Sequence, residues 1–328
     1  MGMFEDLDDR NPLSPSVPAQ RRATIARGRL LRRRRQSVAG LALAVLALVS
    51  LTVWALPSIN ASPPPVRPAP LPSAAPLTMV VIGDSTVRTD QCPECRTFAT
   101  QYAATLTQRS GRPVTTLMRS RNDNAGVPEL LSQVSGDASL RHDIASADVV
   151  VMSIGFNNVV PDYDHPPPGG PFPGCHQQVP NVTDYIVAHI LATTPACTAK
   201  AVGAWAKDYD RIFTTILALR PDKPTTVIAM TVVDGNLDNS DIRAGLAPLQ
   251  FATFEKVLVD AYDQWNTMVC ARATAHHATC ADSYHAANGP RGDQAPTAYI
   301  DQHAYPNQAG NDLWARVLAG VDTSTVTG

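Results

Sequence analysis

Cysteine is absent from the first 91 residues of this 328-residue chain, and charge is sparse throughout. Asp, Glu, Lys and Arg make up 17% of residues, against about 25% in an ordinary globular protein. The formal net charge is only -2, which gives no reason to invoke nucleic acid. No internal repeat is present, which excludes solenoids and propellers. The Gly-x-Ser-x-Gly elbow of α/β-hydrolases is missing too, because Val87 stands where its second glycine would fall.

What charge there is lies unevenly. Arg21, Arg22, Arg27, Arg29 and the run Arg32 to Arg35 crowd the N-terminal tenth. Directly after them, residues 37–56 (SVAGLALAVLALVSLTVWAL) carry no charge. About 20 apolar residues at 1.5 Å rise cross a hydrocarbon core of about 30 Å. Arginines on one side, and Trp54 at the other end, predict a cytoplasmic N-terminus with the body outside. A single-pass membrane anchor is favoured over a cleaved signal peptide, because the basic leader is long for a signal; cleavage would make the body a secreted protein. Residues 1–36 read as a disordered basic tail. Residues 57–76, rich in proline, read as a semi-rigid polyproline spacer.

All six cysteines follow the apolar segment: Cys92, Cys95, Cys175, Cys197, Cys270 and Cys280. An even set confined to the exported part predicts disulfides. Local pairing is expected, 92 with 95, 175 with 197 and 270 with 280. His276 and His277 near Cys270 and Cys280 raise a zinc reading, but oxidised cysteines leave too few ligands. No metal or organic cofactor is expected, and the catalytic domain is expected to be monomeric.

From residue 77 apolar runs alternate with helical patterns. Strands are predicted at 79–82, 114–118, 148–154 and 225–233, with a weak fifth near 279–283. Helices are predicted at 97–108, 127–134, 201–220, 249–274 and 306–320. Strands apolar on both faces, separated by helices, predict a central, mostly parallel five-stranded sheet in a three-layer α/β sandwich spanning 77–328. Residues 160–199, rich in Pro and Gly, read as a functional insertion.

Ligands of such sheets bind beyond the carboxyl ends of the strands. There the first strand ends in Gly83-Asp84-Ser85, the third in Gly155-Phe156-Asn157-Asn158, and Asp301-Gln302-His303 follows the last. A serine hydroxyl needs an imidazole to take its proton. A tetrahedral intermediate needs donors aimed at its oxyanion. Ser85, His303 and Asn157 supply those three functions. Asp84 reads as a loop-holding carboxylate rather than a reacting one.

These residues resemble the SGNH (GDSL-type) hydrolases, whose fold is flavodoxin-like. Gly83-Asp84-Ser85 matches the first block, Gly155 and Asn157 match the third with Asn158 in place of an aspartate, and Asp301 with His303 approximates the last. The resemblance implies a serine esterase or lipase-type hydrolase, or an acyltransferase, acting on acyl esters. It assigns Ser85 as nucleophile and His303 as general base, with the N–H of Ser85 and the amide of Asn157 in the oxyanion hole. The remaining backbone donor is Asn124 by counting from Leu130, or else Gly126. Because the aspartate-to-histidine spacing is one residue short, either Asp301 or the Ile300 carbonyl orients the imidazole. An address beyond a proline stalk suggests a cell-envelope glycan or lipid as substrate. Two rivals stand beside it: a thioredoxin-like oxidoreductase using Cys92 and Cys95, and a non-catalytic module that holds envelope glycans.

Overall fold

The computed structural model describes residues 75–88, 92–120, 125–159, 187, 190–191, 193–221, 226–301 and 304–327. The expected tail, membrane segment, nearly all of the proline spacer, most of the 160–199 insertion, Asn124, Cys175 and His303 lie outside them. Among the described residues no helix is long and apolar enough to cross a membrane.

Five strands form the sheet: β1 (Leu77–Gly83), β2 (Val114–Met118), β3 (Val149–Ser153), β4 (Thr226–Met230) and β5 (Thr279–Ala281). They lie in the order β2-β1-β3-β4-β5, and every pairing is parallel rather than merely most of them. This is the doubly wound order of flavodoxin-like folds, with its switch point between β1 and β3.

The strand sequences explain why the sheet is covered on both sides. Side chains alternate across a strand, and in β1, β3 and β4 both sets are apolar. Val80, Ile82, Val150, Met152, Val227 and Ala229 join one core cluster. It is covered by α2 (Val127–Gly136), α3 (Ala138–Ser146), α5 (Pro195–Ala218) and α7 (Pro248–Ala275). Met79, Val81, Val149, Val151, Ile228 and Met230 face the other way, onto α1 (Phe98–Ser110) and α9 (Gln308–Ala319). The long helices start where their sequences provide caps. Thr97 accepts the Thr100 N–H ahead of α1, and Thr194 caps α5 just before Pro195.

Several short helices escape the sequence patterns. In α3 the apolar face is only Leu140 and Ile144, and the signal that starts it is the Asp137 cap. Between β4 and α7, α6 (Ser240–Gly245) buries nothing. After β3, α4 (Phe156–Val159) is a single turn, and after β5 comes α8 (Ser283–Asn288). The chain closes with α10 (Ser324–Thr327).

β4 stops at Met230 rather than running to Val233, because a helix side chain takes over the ladder. The Val232 N–H donates to Asn266 Oδ1 at 2.8 Å, and Asn266 Nδ2 donates to the Val232 carbonyl at 2.9 Å. A strand backbone satisfied by α7 needs no further strand neighbour.

Cys92–Cys95 and Cys270–Cys280 are disulfides, with Cα separations of 5.2 and 5.0 Å. The second ties the end of α7 to β5, so those thiolates are not zinc ligands. Cys197 is also disulfide-bonded.

The Cys270–Cys280 bond closes a loop whose sequence separation is 10. Chain entropy for such a loop predicts that the Cys270→Ala/Cys280→Ala pair loses about 2–3 kcal/mol of stability. A guanidinium titration checks this, with the midpoint lowered and the slope equal or slightly steeper as the unfolded chain is released.

Candidate active site

The site grows from the ends of β1 and β3, on either side of the switch point. Gly83 and Gly155 stand at φ 148° and 139°, conformations that L side chains rarely adopt. A Cβ on Gly83 would strike the Ser153 carbonyl, and one on Gly155 would strike the Trp265 indole. Close approach is therefore why each strand ends in glycine. It brings the Asp84 N–H to the Ser153 carbonyl at 3.2 Å.

Asp84 is fully buried and both its oxygens are occupied. Oδ1 accepts the Thr86 N–H at 3.0 Å and the Thr86 hydroxyl at 2.6 Å. Oδ2 accepts the N–H groups of Gly155 at 3.1 Å and Phe156 at 3.2 Å. One carboxyl thus closes the 3₁₀ turn Ser85–Val87 and clamps it to the start of α4, which carries Asn157. Burial pushes the Asp84 carboxyl above its ordinary value, against the four donors that favour its ionised form.

Ser85 is half-buried at the head of the 3₁₀ turn. Asn157 is half-buried as well, and its Nδ2 donates to the Ala125 carbonyl at 3.1 Å. A primary amide carries two N–H donors, so this bond orients the side chain and spends one of them. Asn158 faces inward, and its Oδ1 accepts the Val127 N–H at 3.0 Å. The neutral Asn158, where the resembled family has an aspartate, caps α2 from across the sheet.

The Gly126 N–H has a partner of its own: it donates to Glu129 Oε2 at 2.9 Å, at the start of α2. Asn124, the other expected backbone donor, lies outside the described residues.

The third part of the rim is the loop Ile300–Pro306. Ile300 pairs with Pro306 in an isolated antiparallel bridge. Asp301 N–H donates to the Tyr305 carbonyl at 2.8 Å, and Tyr305 N–H returns a bond to Asp301 Oδ1 at 3.0 Å. The Asp301 carboxylate therefore staples its own loop. The Ile300 carbonyl takes a longer 3.4 Å bond from Asn307 Nδ2, leaving lone-pair capacity. Ala304, next to His303 in sequence, has φ 63°. His303 itself is outside the described residues; the structure brings Ser85 and Asn157 to one rim and describes Asp301 and Ala304 on either side of 302–303.

That loop is held to the segment downstream of Ser85. Gln308, at the start of α9, accepts the Arg96 N–H at 2.8 Å and donates to its carbonyl at 3.3 Å. Asn311 Oδ1 accepts the Phe98 N–H at 2.8 Å. The Cys92–Cys95 turn sits immediately ahead of this clasp. Between the 3₁₀ turn and Ala304 lies a small recess, lined by Thr86, Val87, Ser153, Thr231, Val233, Trp314 and their neighbours.

Sequence reasoning did not find Glu129, Gln308, Asn311 or Asp234. Asp234-Gly235 was readable as a turn after β4. Gln308 and Asn311 carried no local signal.

A scan against protein-family models finds no match, and neither does a search of curated proteins. Among solved structures, a lipase from a goat rumen metagenome superposes with a TM-score of 0.53 at 13% identity, over 74% of this chain and 97% of that one. An acetyl-xylooligosaccharide esterase variant from Geobacillus gives 0.46 at 15% identity, over 75% and 95%. A GDSL-like lipase from Parabacteroides merdae gives 0.47 at 12%, over 75% and 95%. The first of these likenesses shows the fold, and the fold alone.

Asp84→Ala leaves the buried N–H groups of Thr86, Gly155 and Phe156 without an acceptor. Stability falls by about 3–5 kcal/mol, read as a lowered urea midpoint.

Proposed function

We propose that the chain is an extracytoplasmic serine ester hydrolase of the SGNH type. The observation that carries this reading is the Asp84 clamp. It fastens the Ser85 turn to the Asn157 loop at the switch point of the sheet, where ligands of this topology bind. The lipase with which the fold is shared supports the same class.

His303, as general base, takes the Ser85 proton as Oγ attacks the ester carbonyl. The C=O π bond opens and negative charge gathers on the former carbonyl oxygen. The remaining Nδ2–H of Asn157, and the backbone N–H groups of Ser85 and Asn124, receive that charge. The Ala125 carbonyl holds the Asn157 amide in place beforehand, so orienting it costs nothing in the transition state. The imidazolium then protonates the leaving alcohol as the tetrahedral intermediate collapses to an acyl-serine. Water, or an acceptor hydroxyl in a transferase, repeats the sequence in reverse.

We take the Ile300 carbonyl as the group orienting the imidazole, with Asp301 closing the loop on Tyr305 through its Oδ1. This makes the machinery a Ser–His dyad. The membrane anchor at 37–56 and the envelope glycan or lipid substrate rest on the sequence, as inferences from address. No cofactor enters the mechanism.

The test compares the parent chain with variants on p-nitrophenyl esters of graded chain length. Ser85→Ala abolishes measurable turnover. Asn157→Ala lowers kcat by about 10²–10³. Asp301→Asn, which keeps an acceptor for Tyr305, costs about tenfold or less, where a triad carboxylate would cost about 10⁴. A parent chain inactive on every ester, or turnover surviving Ser85→Ala, overturns the reading. Thiol-dependent turnover at Cys92 would then point to the redox alternative.

A further inference from the structure

Asp234 lies four residues beyond the end of β4 and is fully buried, yet the reaction described above does not use it. Its backbone is gripped from α8. The Asp234 N–H donates to Asn288 Oδ1 at 3.1 Å, and Asn288 Nδ2 donates to the Asp234 carbonyl at 3.0 Å. Its Oδ1 accepts the Asn236 N–H at 3.0 Å, closing a tight turn with Gly235 at the tip. Its Oδ2 is buried and meets no donor, while the Asn236 side chain and the Tyr262 hydroxyl, buried nearby, engage each other. One buried acceptor is thus left without a donor, an arrangement that native interiors rarely leave unused.

The tip of this turn presses on the loop that precedes α9. A Cβ added to Gly235 would collide with the Ala304 side chain and come within 3.3 Å of Ile300 Cδ1. Ile300 and Ala304 flank the stretch that carries His303. The same cluster reaches back toward the nucleophile turn, since the fields of both Asp234 and Asp84 bear on the Tyr262 hydroxyl.

We infer that Asp234 is a positioning residue: the turn it closes seats Gly235 against Ala304 and Ile300, and so sets the placement of those two residues. The consequence for turnover rests on the esterase reading; the contact does not. The spare Oδ2 makes the seat responsive to protonation. Neutral, the carboxyl leaves no buried charge in the turn. Ionised, it places a charge on an oxygen that no donor meets, in the turn that carries Gly235.

The groups facing it are acids and phenols. From α7 come Glu255 and Tyr262, and from α8 Tyr284, which itself faces Asp263 and Asp282. Asp238 in its own connection donates its N–H to Glu255 Oε1 at 3.0 Å. His285 is engaged with Asp282 at 2.7 Å. Burial first, and then the charge of Glu255, push the Asp234 carboxyl up to about 7. A carboxyl raised in the folded state contributes stability that is whole below its ordinary value of 3.8 and is lost as pH rises through about 7.

The experiment uses the full-length chain, with Ser85→Ala as the inactive reference. Gly235→Ala is expected to lower kcat on p-nitrophenyl acetate about tenfold or more while KM stays within about twofold. Hydrogen exchange of peptides spanning 299–306 is expected to speed up in the same variant. Asp234→Asn keeps the turn but cannot ionise. Its thermal midpoint is expected to lose the decline the parent shows between pH 5 and pH 8, and the pH dependence of protection in 299–306 is expected to vanish with it. Gly235→Ala with parental kcat and parental exchange, or Asp234→Asn with the parent's pH dependence in both readouts, overturns the inference. If the parent turns over no ester, the esterase reading fails while exchange in 299–306 still decides this one.

Discussion

One buried carboxyl organises the rim of this domain. Asp84 takes two hydrogen bonds from the turn that bears Ser85 and two from the turn that bears Asn157. Those turns follow β1 and β3, the strands between which the winding of the sheet reverses. A parallel sheet splits its connections apart there and opens a crevice. Asp84 bridges the crevice at its floor, so the residues on either side cannot move independently. The penalty of burying a carboxyl is offset by four donors, and the two glycines let the strand ends approach closely enough for those donors to reach it.

Around that bridge, polar side chains do work that backbone does elsewhere in the sheet. Asn158 caps α2, Glu129 takes the Gly126 N–H, and Ala125 holds the Asn157 amide. On the far side Asn266 and Asn288 satisfy the backbone beyond β4. A site intended to stabilise developing negative charge needs a small number of oriented donors, not many loose ones.

Much of this was legible in the residues. Strands such as Val149–Ser153, apolar on both faces, announce a sheet covered on two sides, and the polar groups at their carboxyl ends mark the rim. Gly83-Asp84-Ser85 and Gly155-Phe156-Asn157 stand out because glycine and polar residues interrupt apolar runs. What stayed hidden depends on partners remote in sequence. The grip of Asn288 on Asp234 spans 54 residues, and that of Gln308 on Arg96 spans 212. Neither the end of α8 nor the start of α9 carries a local signal of such a partner. Short helices such as Ser240–Gly245 bury no apolar face and so leave no periodicity to read. Gly126 shows the converse: a residue type suited to donating its N–H, whose N–H is claimed by a neighbour three residues on.

The central claim is that Ser85 is the nucleophile, and covalent capture tests it most directly. The oxygen of an activated serine attacks the phosphorus of a fluorophosphonate, expels fluoride and is left as a phosphonyl ester. Intact-mass and peptide mapping of the full-length chain after labelling is predicted to show one adduct, on Ser85, with ester turnover lost in proportion. Adduct on another residue, or turnover persisting in fully labelled protein, would contradict the account.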